Sequence, residues 1–122
     1  MTEPAIDQDA FARLVDITGG ELDFVDELVD TYLDDGEQMV EVLRDAAARG
    51  AIGDLVRPVH SLKSSSINVG ALRLGEQCRT LEEAARGGDV PHAAEWVERI
   101  AAGFDDARRE LLAERSSRAP SS

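Results

Sequence analysis

Residues 54–70 read DLVRPVHSLKSSSINVG. At about 100° of turn per residue, Leu55, Val59, Leu62, Ser66 and Val69 fall on one stripe. This pattern predicts an amphipathic helix from about Asp54 to Asn68, packed through that stripe and ended by Gly70. With Asp54 as its cap, Pro58 falls at the end of the first turn, where a missing N–H costs little. On the same count His60 lies about 140° from the centre of the stripe, so it faces outward. Lys63 and Ser64 follow at i+3 and i+4, one turn on from the ring. Val56 and Ile67 are apolar on this outer side, which suggests a surface meant to be covered. Serines are weak helix formers, so propensity alone does not account for Ser61, Ser64 and Ser65 around the histidine. Lys63 is the only lysine in the chain.

The helical period continues in both directions. Upstream, Leu22, Val25, Leu28, Val29, Tyr32, Met39, Leu43 and Ala47 step by threes and fours from about Glu21 to Arg49. Gly36 fills one slot of that stripe and marks either a bend or a close helix crossing. Before this block, Asp7 is placed to cap a short helix carrying Phe11, Leu14 and Val15, which Gly19-Gly20 ends. Downstream, Leu74, Cys78, Leu81 and Ala85 stripe a helix from Ala71 to about Arg86. Ala93, Val97, Ile100, Phe104, Ala107 and Leu111 stripe a last one, with Asp89 as cap and Pro91 in its first turn. The Ser/Pro-rich end, residues 116–122, is expected to be a disordered tail, leaving 1–115 as the domain. No segment shows the alternation of a strand. Four amphipathic helices joined by short glycine-containing turns predict an all-α fold: an antiparallel four-helix bundle with a short additional N-terminal helix.

Composition removes several function classes. A length of 122 residues fits one domain. The 25 acidic against 13 basic residues give a net charge of -12, which repels nucleic-acid phosphates and anionic membranes, so neither is expected as a partner. Cys78 is alone, so no disulfide can form within the chain; it reads as a small buried hydrophobe. His60, His92 and Cys78 lack metal-ligand spacing, and no metal site is expected. No GxxxxGK[ST] loop is present, so no ATP-dependent kinase activity is expected. The apolar runs are short and the N-terminus lacks the pattern of a signal peptide, which points to a cytoplasmic protein.

HSLKSSSINVGA, residues 60–71, resembles the signature of histidine-containing phosphotransfer (HPt) domains, commonly H-x-L-K-G-S-S-x-x-[LV]-G-A. DELVDTYLDDGEQMVEVLRDAAARG and LRLGEQCRTLEEAARGGD resemble the helices on either side of it, so the likeness runs roughly from Leu22 to Leu112. The resemblance implies a four-helix bundle that carries a phosphoryl group on a histidine between receiver domains. It implies His60 as the phosphorylated residue and Lys63 as the group that stabilises the phosphohistidine. It also implies Glu82, on the following helix, as the acceptor for the imidazole Nδ1. Ser64 stands where the family usually has glycine, kept small so that a receiver can approach; a serine there adds a hydroxyl near the phosphoryl group. The implied partners are response-regulator receiver domains and a hybrid histidine kinase. The implied Mg²⁺ belongs to the receiver, with no cofactor of the chain's own, and the chain is expected to act as a monomer.

The outer face then reads as a docking surface of Val56, Ser61, Ser64 and Ile67. Arg79 and Arg86 join it from the next helix, where Gly75, Arg79, Glu82 and Arg86 form a strip beside the core stripe. For the two arginines, solvated ion pairs weigh evenly against a functional role. Two other functions compete. One is a helical module that binds a receiver or kinase without phosphate chemistry, which would have no need of His60 and Lys63. The other is a response-regulator phosphatase, which needs a water-positioning amide and finds only Asn68.

Overall fold

The stripes close on one another as helices. The structure, a computed structural model, describes residues 4–118. It contains α1 (Gln8–Ile17), α2 (Leu22–Ala48), a 3-10 turn (Ile52–Leu55), α3 (Val56–Asn68), α4 (Leu72–Arg86) and α5 (Ala93–Arg118). Among the described residues there is no strand. Helix α2 packs on α3 and α5, and α4 packs on the same two, so the four long helices form an antiparallel bundle; α1 lies against α2 and α3.

Helix α3 buries the stripe its sequence predicts. Leu55, Val59, Leu62, Ser66 and Val69 are all inside, and each fully buried aliphatic side chain is worth about 1.5–3 kcal/mol. Pro58 is the third residue of the helix, where its absent N–H has no partner to lose. Asp54 is not the cap. The 3-10 turn leads directly into α3, and the Asp54 carboxylate faces Arg49 at 3.4 Å instead. Ser66 keeps its place in the core because its hydroxyl meets Tyr32 Oη at 2.9 Å.

Helix α2 keeps its period but shifts its phase after Gly36. The buried set is Val25, Val29, Tyr32, Gly36, Val40, Leu43 and Ala46, so Val40 and Ala46 replace Met39 and Ala47, and Leu22 is exposed. Gly36 marks a crossing: a Cβ there would collide with the Phe104 ring of α5, which also lies against Tyr32 at a centroid distance of 5.6 Å.

At its start α5 departs from the sequence reading. It begins at Ala93, and Asp89 and Pro91 lie before it. His92 takes a left-handed backbone conformation, φ 59°, and its carbonyl accepts from the N–H groups of Glu95 and Trp96. Val90 is buried and pulls the connection inward. The far end runs longer than expected. Ser116 and Ser117, assigned to the tail, are helical, and Ser117 Oγ donates to the Glu114 carbonyl. Arg115 ties this end to α2 through Asp30 at 3.0 Å and Asp26. The rest of the expected tail, residues 119–122, lies outside the described residues.

The N-terminal segment is fastened at two points. Asp7 caps α1, accepting from Ala10 N–H at 2.9 Å. The N–H groups of Ala5 and Ile6 both donate to the Glu110 carboxylate of α5, at 2.7 and 2.9 Å. Asp7 N–H donates to the Gly70 carbonyl in the α3–α4 turn at 2.8 Å. Gly70 has φ 89°, and a Cβ there would stand 3.1 Å from the Asp7 carbonyl oxygen; both demands select glycine.

Candidate functional site

α3 is the only one of the five helices without an Asp or Glu, and it carries Arg57 and Lys63 in a chain of net charge -12. His60 stands on its outward face with 52% of its side chain exposed. One turn beneath, across the α3–α4 packing, lies Glu82. Its side chain is only 6% exposed, and three groups converge on it. His60 Nδ1 is 2.8 Å from Oε2, Lys63 Nζ is 2.7 Å from Oε1, and Arg86 Nη2 is 2.8 Å from Oε2. A buried carboxylate normally resists ionisation. Burial does push the Glu82 pKa upward, but hydrogen bonds from Lys63, Arg86 and His60, with the nearby Lys63 charge, outweigh it and bring it to about 2.

An ionised carboxylate only accepts hydrogen bonds, so the imidazole nitrogen facing it must carry the proton. This fixes the Nδ1–H tautomer and leaves the Nε2 lone pair directed away from Glu82. The arrangement can therefore present a neutral nucleophilic nitrogen and stabilise positive charge arising on the ring.

The other expected site residues are placed as follows. Arg86 joins the Glu82 cluster from one turn along α4, whereas Arg79 turns away and pairs with Glu76. Ser64 is exposed and Ser61 half-buried. Val56 is less open than expected: it is half-buried and packs against the core, at the junction where the 3-10 turn meets α3. Ile67 is 47% exposed and rests over Gly75, whose missing Cβ makes room for it. Cys78 is buried; burial pushes its thiol up to about 12, with the Glu82 charge adding to the rise, so it stays protonated. Among the described residues, no group of three or more His, Cys, Asp or Glu is placed to hold a metal ion. No helix among them is long and apolar enough to cross a membrane.

One feature of this face escaped the sequence reading. A groove of about 550 Å³ runs between α1, α2 and the end of α3, lined by Leu14, Ile17, Leu28, Tyr32, Ile67 and Leu72 among others. Ile17 is 83% exposed at its rim. Part of the signal was present: Ile17 is apolar outside the set of Phe11, Leu14 and Val15, whereas Leu28 fits the core stripe of α2.

A family model for the Hpt domain matches residues 27–110. The chain belongs to the Hpt family. A similar fold is found in the crystal structure of histidine-containing phosphotransfer protein B (HptB) from Pseudomonas aeruginosa PAO1. It is 30% identical, with a TM-score of 0.86 over 97% of this chain and 100% of that one. No curated protein sequence matches the chain. Membership supports a histidine phosphotransfer role in phosphorelay for this Hpt domain, a setting in which Hpt domains meet receiver and kinase proteins.

Proposed function

We propose that this Hpt domain carries a phosphoryl group on His60 Nε2, taking it from the aspartyl phosphate of one receiver domain and delivering it to another. The observation that carries the reading is the pairing of an exposed imidazole with a buried, ionised Glu82 at Nδ1. In the step, the Nε2 lone pair attacks phosphorus. The P–O bond to the donor aspartate breaks and its electron pair stays on that carboxylate. The ring keeps its Nδ1 proton and so becomes cationic, and Glu82, 2.8 Å away, stabilises that charge. Lys63 brings a positive charge beside the transferred group, and Arg86 keeps Glu82 paired. Phosphoryl transfer is mostly positioning and charge stabilisation. One lysine on a convex helix supplies little of either, so the Mg²⁺ and the remaining acidic groups belong to the receiver.

The partners are thus receiver domains of response regulators and of a hybrid histidine kinase, met in the cytoplasm by a single copy of this chain. The test is incubation with a receiver charged by a small-molecule phosphodonor in the presence of Mg²⁺. Acid-labile, base-stable phosphate should appear on this chain at no more than one per molecule. Failure of label to leave the receivers of the same genome would sink the reading.

Docking is expected to centre on Ser64 and Ile67 and to extend into the groove reached through Ile67, with Ile17 as an apolar anchor. Anchors of this kind contribute on the order of 1–2 kcal/mol each. Ile17→Asp should weaken receiver binding about tenfold with little change in melting temperature, since the side chain is largely exposed. Ile67→Asp should weaken it similarly and also lower stability somewhat, because Ile67 rests on Gly75. Titration by NMR separates the two; undiminished binding of the Ile17 variant would remove the groove from the interface.

A further inference from the structure

Four of the six residues that follow His60 are serines: Ser61, Ser64, Ser65 and Ser66. Two of them spend their hydroxyls inside the fold. Ser65 Oγ donates back to the Ser61 carbonyl at 3.0 Å, and Ser66 Oγ bonds Tyr32 Oη in the core. Ser64 is different. It is exposed, and its hydroxyl makes no hydrogen bond among the described residues. Packing does not ask for a serine there, and helix propensity would favour alanine. Its position is specific, however. A residue at i+4 stands about 5–6 Å from its partner, Cβ to Cβ. Every Cα–Cβ bond of a helix leans toward the N-terminus, so the Ser64 side chain leans toward His60. Glu82 holds Nδ1 on the inner side of the half-exposed ring, which leaves Nε2 on the side away from Glu82.

We infer that Ser64 Oγ–H donates a hydrogen bond to an oxygen of the phosphoryl group on His60 Nε2, and so prolongs the life of the phosphohistidine. This rests on His60 being the carrier. Hydrolysis adds water at phosphorus and breaks the P–Nε2 bond. The electron pair returns to Nε2, the ring becomes neutral, and dihydrogen phosphate leaves with both water protons. In the loose transition state the oxygens carry less negative charge than in the dianion. A donor to those oxygens therefore binds the ground state better than the transition state, and slows the loss. Lys63 acts in the same sense, but its ammonium is shared with Glu82, whereas the Ser64 hydroxyl has no hydrogen-bond partner among the described residues.

The chain supplies its own control. Its second histidine, His92, has a 76% exposed side chain and lies in the α4–α5 connection, with Glu95 at 4.0 Å. The experiment treats the full chain with potassium phosphoramidate, removes the reagent, and follows both phosphohistidines by ³¹P NMR at neutral pH. Ser64→Ala should shorten the life of phospho-His60 by about threefold to tenfold. Ser64→Thr should restore it, and phospho-His92 should decay alike in all variants. Equal phospho-His60 lifetimes in wild type and Ser64→Ala would overturn the role of Ser64 while leaving His60 as carrier. If His92 takes phosphate and His60 does not, the reading of His60 falls, and the role of Ser64 with it.

Discussion

His60→Gln is expected to abolish phosphoryl acceptance outright while helicity and melting temperature stay at wild-type values. The side chain is about half exposed and, among the described residues, it hydrogen-bonds Glu82 alone. A glutamine amide reaches the same region and can still donate to that carboxylate, so the Glu82 cluster survives the change. Surface substitutions of this kind usually shift stability by less than about 0.5 kcal/mol. What the variant lacks is a lone pair able to form a P–N bond. His92 offers no substitute, because it has no buried carboxylate to fix its tautomer and no lysine beside it. Transfer assays and circular dichroism on the same preparation check both halves. Phosphate persisting on the variant would displace the assignment, and a large drop in melting temperature would make His60 a structural residue.

Glu82→Ala is expected to slow acceptance about 10²-fold without ending it, since orienting and charge-stabilising groups typically contribute on that order. Glu82→Gln should fall between the two, because an amide can meet Nδ1 but neither enforces one tautomer nor carries charge. Stability gives a second readout with a definite sign. The Glu82 pKa lies at about 2, below the 4.5 of a free glutamate. Its contribution is therefore complete above about pH 4.5 and is lost as pH falls toward 2. Urea unfolding of wild type and Glu82→Gln should show a constant stability gap from pH 7 to about 5 that closes in acid. A gap that widens in acid would mean that the carboxylate is protonated in the native state. Single-turnover rates equal to wild type would reduce Glu82 to a structural acid.

The sequence made some of this legible and withheld the rest for physical reasons. The α3 and α4 stripes were readable because Val59, Leu62, Leu74, Cys78 and Leu81 each lack a second aliphatic residue next to them in the sequence, and glycine bounds the helices. In α2 the step after Gly36 offered two candidates. Met39 and Val40 are both apolar, as are Ala46 and Ala47, so steps of four-three-three and three-four-four fit equally well. The crossing of Phe104 over Gly36 selects Val40 and Ala46, and that contact belongs to another helix. The start of α5 obeyed cap-and-proline rules on paper, but burial of Val90 and the backbone of His92 moved it to Ala93. The outward position of His60 followed from periodicity alone. The Glu82 contact came from family resemblance, because no local pattern reports which two helices touch. That Glu82 also gathers Lys63 and Arg86, and is buried while doing so, is a property of the packed bundle.

The seat of the N-terminal segment has a consequence for biosynthesis. Ala5 and Ile6 are fixed by Glu110, more than a hundred residues later in the chain. A ribosome makes roughly 5–20 residues each second, so for several seconds the first residues exist without their anchor. Helix α1 supplies Leu14 and Ile17 to the groove at the end of α3. A nascent chain thus holds His60 and its helix before the neighbouring wall can be locked in place. The wall that α1 adds to this groove is secured only when the end of α5 has emerged, so a truncated product would lack it even where its histidine is intact.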